Sequence, residues 1–173
     1  MRTKLLLAVL AFAVLEGSAA AQGRVTASIG NVYGGDTPKK QGVYAIALGG
    51  GGAHGIGSEL EFSESRHFFD TEDGARKGRL LTLMASVLVT IPISKVRPYG
   101  IVGFGFIRER TETSLGGVFS SLTNKDVGYN AGVGVTLQFA AHAGVRADLR
   151  HFKVRTADGL SFQRLLVGIA LGG

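Results

Sequence analysis

The chain has 173 residues, a formal net charge of +6 and a mean hydropathy of +0.23, a length that suits a single domain. It contains no cysteine, which excludes a small secreted fold stapled by disulfides. Its basic residues are scattered along the chain, so the positive charge does not describe a nucleic-acid-binding surface.

At the N-terminus, Arg2 and Lys4 precede an uncharged apolar run over 5–15, and Ala19-Ala20-Ala21 follows. Basic, apolar and small residues in that order read as a secretory signal, with the cut predicted after Ala21 and Gln22 as the first mature residue. The apolar run is too short for a spanning anchor. Residues 22–173 form the predicted mature domain. No later run approaches the roughly 18 apolar residues of a membrane helix. The 27 glycines follow no collagen period and fall inside alternating apolar segments.

Period-2 alternation marks the rest of the chain as strands. The segments 24–33 and 43–50 alternate least clearly. Over 56–65, Ile56, Leu60 and Phe62 share one face, and Gly57, Glu59, Glu61 and Ser63 the other. Over 79–92, Leu81, Leu83, Ala85, Val87, Val89 and Ile91 oppose Thr82, Ser86 and Thr90, with Leu80, Met84 and Leu88 intruding on the second face. The segment 98–111 is extended but ambiguous, because Gly103 and Gly105 share a face with Ile101. The clearest segment, 127–139, sets Tyr129, Ala131, Val133, Val135 and Leu137 against Gly128, Asn130, Gly132, Gly134 and Thr136. Over 143–155, Val145, Ala147 and Leu149 oppose Arg146, Asp148 and Arg150. Over 163–172, Leu165, Val167, Ile169 and Leu171 oppose Arg164, Gly168 and Ala170.

The gaps alternate in length. Long polar ones lie at 34–41, 66–78, 112–126 and 156–162, and short ones at 51–55, 93–97 and 140–142. Short turns at one end and long loops at the other describe a membrane barrel with both termini in the periplasm. An apolar outer sheet in lipid must close to satisfy its edges. The inward faces, rich in Gly, Ser, Thr, Asn, Glu, Asp and Arg, would make a poor core for a soluble barrel or sandwich. The fold class is therefore all-β, an eight-stranded antiparallel up-and-down transmembrane β-barrel.

Three stretches carry a family resemblance: Arg97-Pro98-Tyr99-Gly100-Ile101-Val102-Gly103-Phe104-Gly105, Val127-Gly128-Tyr129-Asn130-Ala131-Gly132-Val133-Gly134, and Gly144-Val145-Arg146-Ala147-Asp148-Leu149-Arg150. They resemble the second half of the outer-membrane protein β-barrel domain family, which includes small barrels of the OmpA and OmpX type. The similarity is good over 97–172 and lies in the pattern alone before that. It implies a fold and a location, the cell outer membrane, and no particular chemistry.

Candidate chemical motifs are few. Gly49-Gly50-Gly51-Gly52-Ala53-His54-Gly55 resembles the oxyanion loop of patatin-like lipases, but the chain has no G-x-S-x-G nucleophile elbow, which such an enzyme needs. A tight glycine turn accounts for it. The pairs Gly103/Gly105 and Gly132/Gly134 lack the Lys-Ser/Thr and helix of a phosphate loop, and glycine there makes room inside a narrow barrel. His54, His67, His142 and His151 show no metal-ligand spacing. No catalytic, cofactor-binding or metal site is assigned.

The informative residues are the inward charges Glu59, Glu61, Arg146, Asp148 and Arg150. Glu59 and Glu61 stand four and six residues above Gly55, and the other three rise from the turn near His142 to similar height. Their strands, third and seventh of eight, face each other across a bore of roughly 16 Å. Buried charges require partners, so a lumen charge network, structural or a gate, is predicted. The function read from the sequence is a structural, surface-interaction or envelope-integrity role. The alternatives are a lipid-modifying enzyme and a narrow gated channel. Outer-membrane lipids, lipopolysaccharide and an extracellular partner at the long loops are the expected partners of a monomer.

Overall fold

The computed structural model describes residues 22–35, 40–51, 55–66, 76–115, 118–155 and 159–172, and the side chains of these apart from 22, 66, 76–77, 111–115 and 118–125. Eight strands follow one another: β1 (Gln22–Tyr33), β2 (Gln41–Gly51), β3 (Ile56–Arg66), β4 (Arg76–Thr90), β5 (Val96–Leu115), β6 (Val118–Ala140), β7 (Ala143–Val154) and β8 (Ser161–Gly172). Each pairs antiparallel with its neighbour in sequence, and β1 pairs with β8 from Arg24↔Gly172 to Tyr33↔Gln163, which closes the barrel. The shortest strands have 11 residues, enough for a tilted strand to cross a bilayer. The segments predicted to end the mature chain thus pair with the one predicted to begin it. The signal predicted over 1–21 lies outside the described residues.

One gap differs from the sequence reading. The polar stretch 112–126, expected as a long loop, is mostly strand. β5 and β6 remain in register from Val96↔Leu137 to Leu115↔Val118. Its Thr113, Val118, Phe119 and Thr123 are good strand formers, and a largely polar hairpin that rises beyond the apolar belt shows no period of hydrophobicity to betray it. The stretches 67–75 and 156–158, within two other long gaps, lie outside the described residues. At the opposite end the connections are tight. Ser94 takes a positive φ of 56° in the β4–β5 turn, and Gly55, with φ 77°, accepts a hydrogen bond from Thr90 N through its carbonyl. The glycine run 49–55 therefore spans the end of β2 and the entry to β3, with 52–54 outside the described residues, and no helix follows it.

The alternation decides what faces lipid. Val25, Ile29, Ile46, Val87, Val102, Phe104, Val133, Leu137, Val167 and Ile169 are all exposed, a ring of apolar side chains no soluble protein would present. The ambiguous 98–111 face resolves with Tyr99, Ile101 and Ile107 inward and Val102, Phe104 and Phe106 outward. Inward glycines let neighbouring strands and side chains approach. A Cβ on Gly134 would lie 2.3 Å from the Tyr99 ring, its register partner.

The lumen is layered, and half of it corrects the expectation of a poor core. At the long-loop end Val32, Val43, Leu80, Met84, Ile107, Phe152, Phe162 and Leu166 pack into one apolar cluster. The Phe152 and Phe162 rings stack at 4.8 Å. Leu80 and Met84, which blur the alternation of β4, belong to this plug. Below it lies a layer of charges, and below that Leu88, Tyr99 and Ile101. Two outcomes are expected. Val133→Arg, placing a charge at mid-height on the lipid face, should lower unfolding stability in lipid by about 2–4 kcal/mol, read from urea titration of the reconstituted barrel. Gly134→Val should lower it as well, through the Tyr99 ring, whereas Gly100→Val, where a Cβ meets no atom within 4 Å, should be tolerated.

Candidate functional site

The most built part of the molecule is the charged layer. β3 contributes Glu59 and Glu61 on alternate residues, and β7 contributes Arg146, Asp148 and Arg150 in the same way. All five side chains are buried. β3 and β7 stand four strands apart in a ring of eight, so the two groups meet across the bore.

Their contacts form one continuous network. Arg146 donates to both carboxylate oxygens of Glu59, Nη1 to Oε2 and, at 3.2 Å, Nη2 to Oε1. Arg150 Nη2 reaches Glu59 Oε1 at 3.0 Å and Glu61 Oε2 at 3.1 Å. Asp148 sits between the two arginines on its own strand, 2.9 Å from Arg150 Nε and 3.3 Å from Arg146 Nε. All five residues singled out by the alternation belong to this one connected network.

Two further members were not singled out. Arg164 on β8 donates to Glu61 through Nη2 and to Ser63 Oγ through Nη1 at 2.9 Å. It also lies 4.6 Å above the Phe152 ring, so it joins the charged layer to the apolar plug. The alternation of β8 already put Arg164 inward, opposite Leu165. The alternation did not say which carboxylate it meets: Asp148 on the adjacent β7 pairs with Arg146 and Arg150, and the partner of Arg164 stands across the lumen on β3. The other is Tyr99. Its hydroxyl donates to Asp148 Oδ2 at 3.1 Å and accepts from Arg146 Nε at 2.5 Å, and the Arg146 guanidinium lies 4.7 Å over its ring. No spacing on β5 announces this role.

The layer contains three guanidiniums and three carboxylates, so it is neutral as a unit. Taking such ions out of water costs several kcal/mol each, and the cost is offset only by close, multiply hydrogen-bonded pairing. Ser86 Oγ and both amide atoms of Asn130 are buried without a protein partner. They flank Gly103 on adjacent strands, and buried polar groups of this kind are ordinarily satisfied by water. Among the described residues no His, Asp or Glu group is arranged to hold a metal. His142 and His151 are exposed, and His54 and His67 lie outside the described residues.

A closed antiparallel barrel with an apolar exterior and a charged, side-chain-filled interior defines a membrane-spanning β-barrel of the bacterial outer-membrane type. The chain belongs to the outer membrane protein beta-barrel domain family, whose model matches residues 4–171, and this membership places it at the outer membrane. No curated protein sequence matches it significantly. Among solved structures it is similar to Neisserial surface protein A (NspA), with a TM-score of 0.65 and 17% identity over 90% of this chain and 99% of that one. It is also similar to Ail, the attachment invasion locus protein of Yersinia pestis, with a TM-score of 0.60 and 14% identity over 90% and 100%. The outer membrane enzyme PagL matches with a TM-score of 0.51 and 12% identity over 86% and 98%. At these identities the likeness is one of fold.

The network yields a stability test. Arg146→Ala leaves Glu59 short of its bidentate partner in a confined space, a change expected to cost about 3–5 kcal/mol where the site is dry and less where lumen water enters. Lys95→Ala, in an exposed turn, should cost little. Adding Glu59→Gln to Arg146→Ala should recover part of the loss. Denaturant midpoints in lipid or detergent measure all three. Equal midpoints for Arg146→Ala and Lys95→Ala would show that the network does not hold the barrel together.

Proposed function

We propose that this barrel works through its two surfaces, the lipid-facing belt and the loop-bearing end, in a structural, surface-interaction or envelope-integrity role. The observation that carries this reading is the filled lumen: a neutral layer of ion pairs beneath a plug of stacked phenylalanines and aliphatic side chains. A bore of eight strands has room for side chains and little else. Outer-membrane lipids and lipopolysaccharide along the belt, and an extracellular partner at the long-loop end, are the partners we propose for a monomer that acts without a cofactor. The attachment role in the name of Ail, a protein of the same fold, supports a surface interaction.

A second reading, a narrow gated channel, draws on the divided pairing of the network. Glu59 is shared by Arg146 and Arg150, and Arg150 by Glu59 and Glu61, so partners could exchange without leaving a charge bare. The apolar plug weighs against it, since ions cross a dry apolar constriction at high cost. Lipid modification rests on the fold shared with PagL alone, and we read the chain as non-enzymatic. Export by a signal cleaved after Ala21, with the short turns in the periplasm, completes the proposal.

Three measurements separate these readings. Reconstituted into a planar bilayer, the protein should add no steady conductance, and a sustained current altered by Arg146→Ala would favour the channel. Incubated with lipopolysaccharide, it should release no acyl chain, and release would favour the enzyme. The mature protein should begin at Gln22 and fractionate with the outer membrane, and protease added to intact cells should cut within 67–75. Retention of Met1 in the inner membrane would overturn the export reading.

A further inference from the structure

The short-turn end of the lumen carries positive charge that the network above it does not neutralise. A cavity of about 230 Å³ opens there, lined by Arg24, Thr90, Arg97, Thr136 and Gln138 and by the backbone of several glycines. Arg24 lies on β1 and Arg97 on β5, four strands apart in the ring, so they stand on facing walls. Both belong to the inward face. Arg24 is followed by lipid-facing Val25, and Arg97 shares its face with buried Tyr99 and Ile101. Extended guanidiniums from opposite walls approach each other across a bore of roughly 16 Å.

Among the described residues no Asp or Glu lines this cavity. The three carboxylates of the charged layer, Glu59, Glu61 and Asp148, are engaged by Arg146, Arg150 and Arg164. Among the described residues neither Arg24 nor Arg97 forms an ion pair, and Arg97 Nε is buried with no hydrogen-bond partner. Partly buried guanidiniums on facing walls of one cavity favour a counter-anion, and no carboxylate among the described residues lines it.

We propose that this mouth is a binding site for a small phosphate-class oxyanion held between Arg24 and Arg97. The planar fork of each guanidinium matches two oxygens of a tetrahedral oxyanion. Two forks on opposite walls suit a group with more than two acceptor oxygens and close to two negative charges, which distinguishes phosphate from a carboxylate. Thr90, Thr136 and Gln138 supply neutral donors around them. The cavity exceeds the roughly 30 Å³ share of one water several-fold. The glycines keep it open, because Gly50, Gly51, Gly55, Gly57, Gly144 and Gly172 add no side chain at the rim. Free phosphate offers all of this, and the phosphodiester headgroup of an anionic lipid offers the same oxyanion chemistry with two free oxygens and one negative charge. The site stands whatever role the loop-bearing end has.

The test uses the protein purified from membranes in a nonionic, phosphate-free detergent, with inorganic phosphate titrated by calorimetry at fixed ionic strength. Saturable binding at one site is expected. Arg24→Gln or Arg97→Gln should weaken it about tenfold or more, the double variant should abolish it, and Lys95→Gln should leave it unchanged. Resistance to unfolding in SDS before boiling verifies that each variant folds. If the double variant fails to fold, Arg97→Lys decides: it retains the charge without the fork and should weaken binding, and an unchanged affinity overturns the proposal. A second arm reconstitutes the protein in vesicles of phosphatidylglycerol and phosphatidylcholine and weighs the lipid retained on extraction. Phosphatidylglycerol retained by the wild type, displaced by phosphate and lost on arginine substitution assigns the site to a headgroup. Arginine-dependent phosphate binding without such retention assigns it to the free ion. If neither phosphate nor lipid binding depends on Arg24 and Arg97, the proposal falls.

Discussion

A backbone amide inside a bilayer has no water to bond to, and the structure follows from that one constraint. Every N–H and C=O in the lipid-crossing part must find a partner in the protein, and for a sheet this means closure. The pairing of β1 with β8 supplies it. Closure at eight strands then sets the bore, and the bore sets what the inward residues must do. They are too close to be solvated like surface groups, so they must pack or neutralise one another. The same short bore lets β3 and β7 exchange ion pairs without distorting either strand.

The two ends of the lumen answer this demand differently. Toward the long-loop end, inward positions are aliphatic and aromatic, and Arg164 lies over Phe152 as the seam between plug and charged layer. At mid-height the three arginines and three carboxylates cancel. Toward the short-turn end, glycines replace side chains and the cationic pair Arg24 and Arg97 faces an open cavity. The bore is thus filled by packed side chains at one end and lined by glycines around a cavity at the other. The same fold occurs in proteins as different as a surface protein, an attachment protein and an enzyme. Identities of 12–17% over nearly whole chains have a physical basis. Lipid asks of an outward position only that it be apolar, so many sequences satisfy one fold.

The sequence alone determined most of the architecture, because the bilayer imposes a rule that one dimension can express. Alternate residues must be apolar, so eight segments, their outward faces and the inward placement of Glu59, Glu61, Arg146, Asp148 and Arg150 could be read by period. The long run of polar residues over 112–126 escaped that rule. Outside the belt both faces of a hairpin are solvated, and a strand with no apolar face looks like a loop. Leu80 and Met84 seemed to break the pattern of β4, yet they are inward residues of a plug assembled from six of the eight strands.

Only the tertiary structure decided who meets whom across the bore. Alternation assigns a side chain to a face and says nothing of the strand opposite, nor of the height at which stagger places each residue. Arg164 was visibly inward but had no evident partner until β8 was seen to bring it beside Glu61. Tyr99 gave no signal at all, since its role depends on Gly134 leaving room for its ring and on Arg146 and Asp148 converging at its hydroxyl. Arg24 and Arg97, 73 positions apart in the chain, share a cavity only because closure sets β1 opposite β5. Period along a strand is local physics and is written in the sequence, whereas contacts across a lumen depend on closure and register, which no single strand contains.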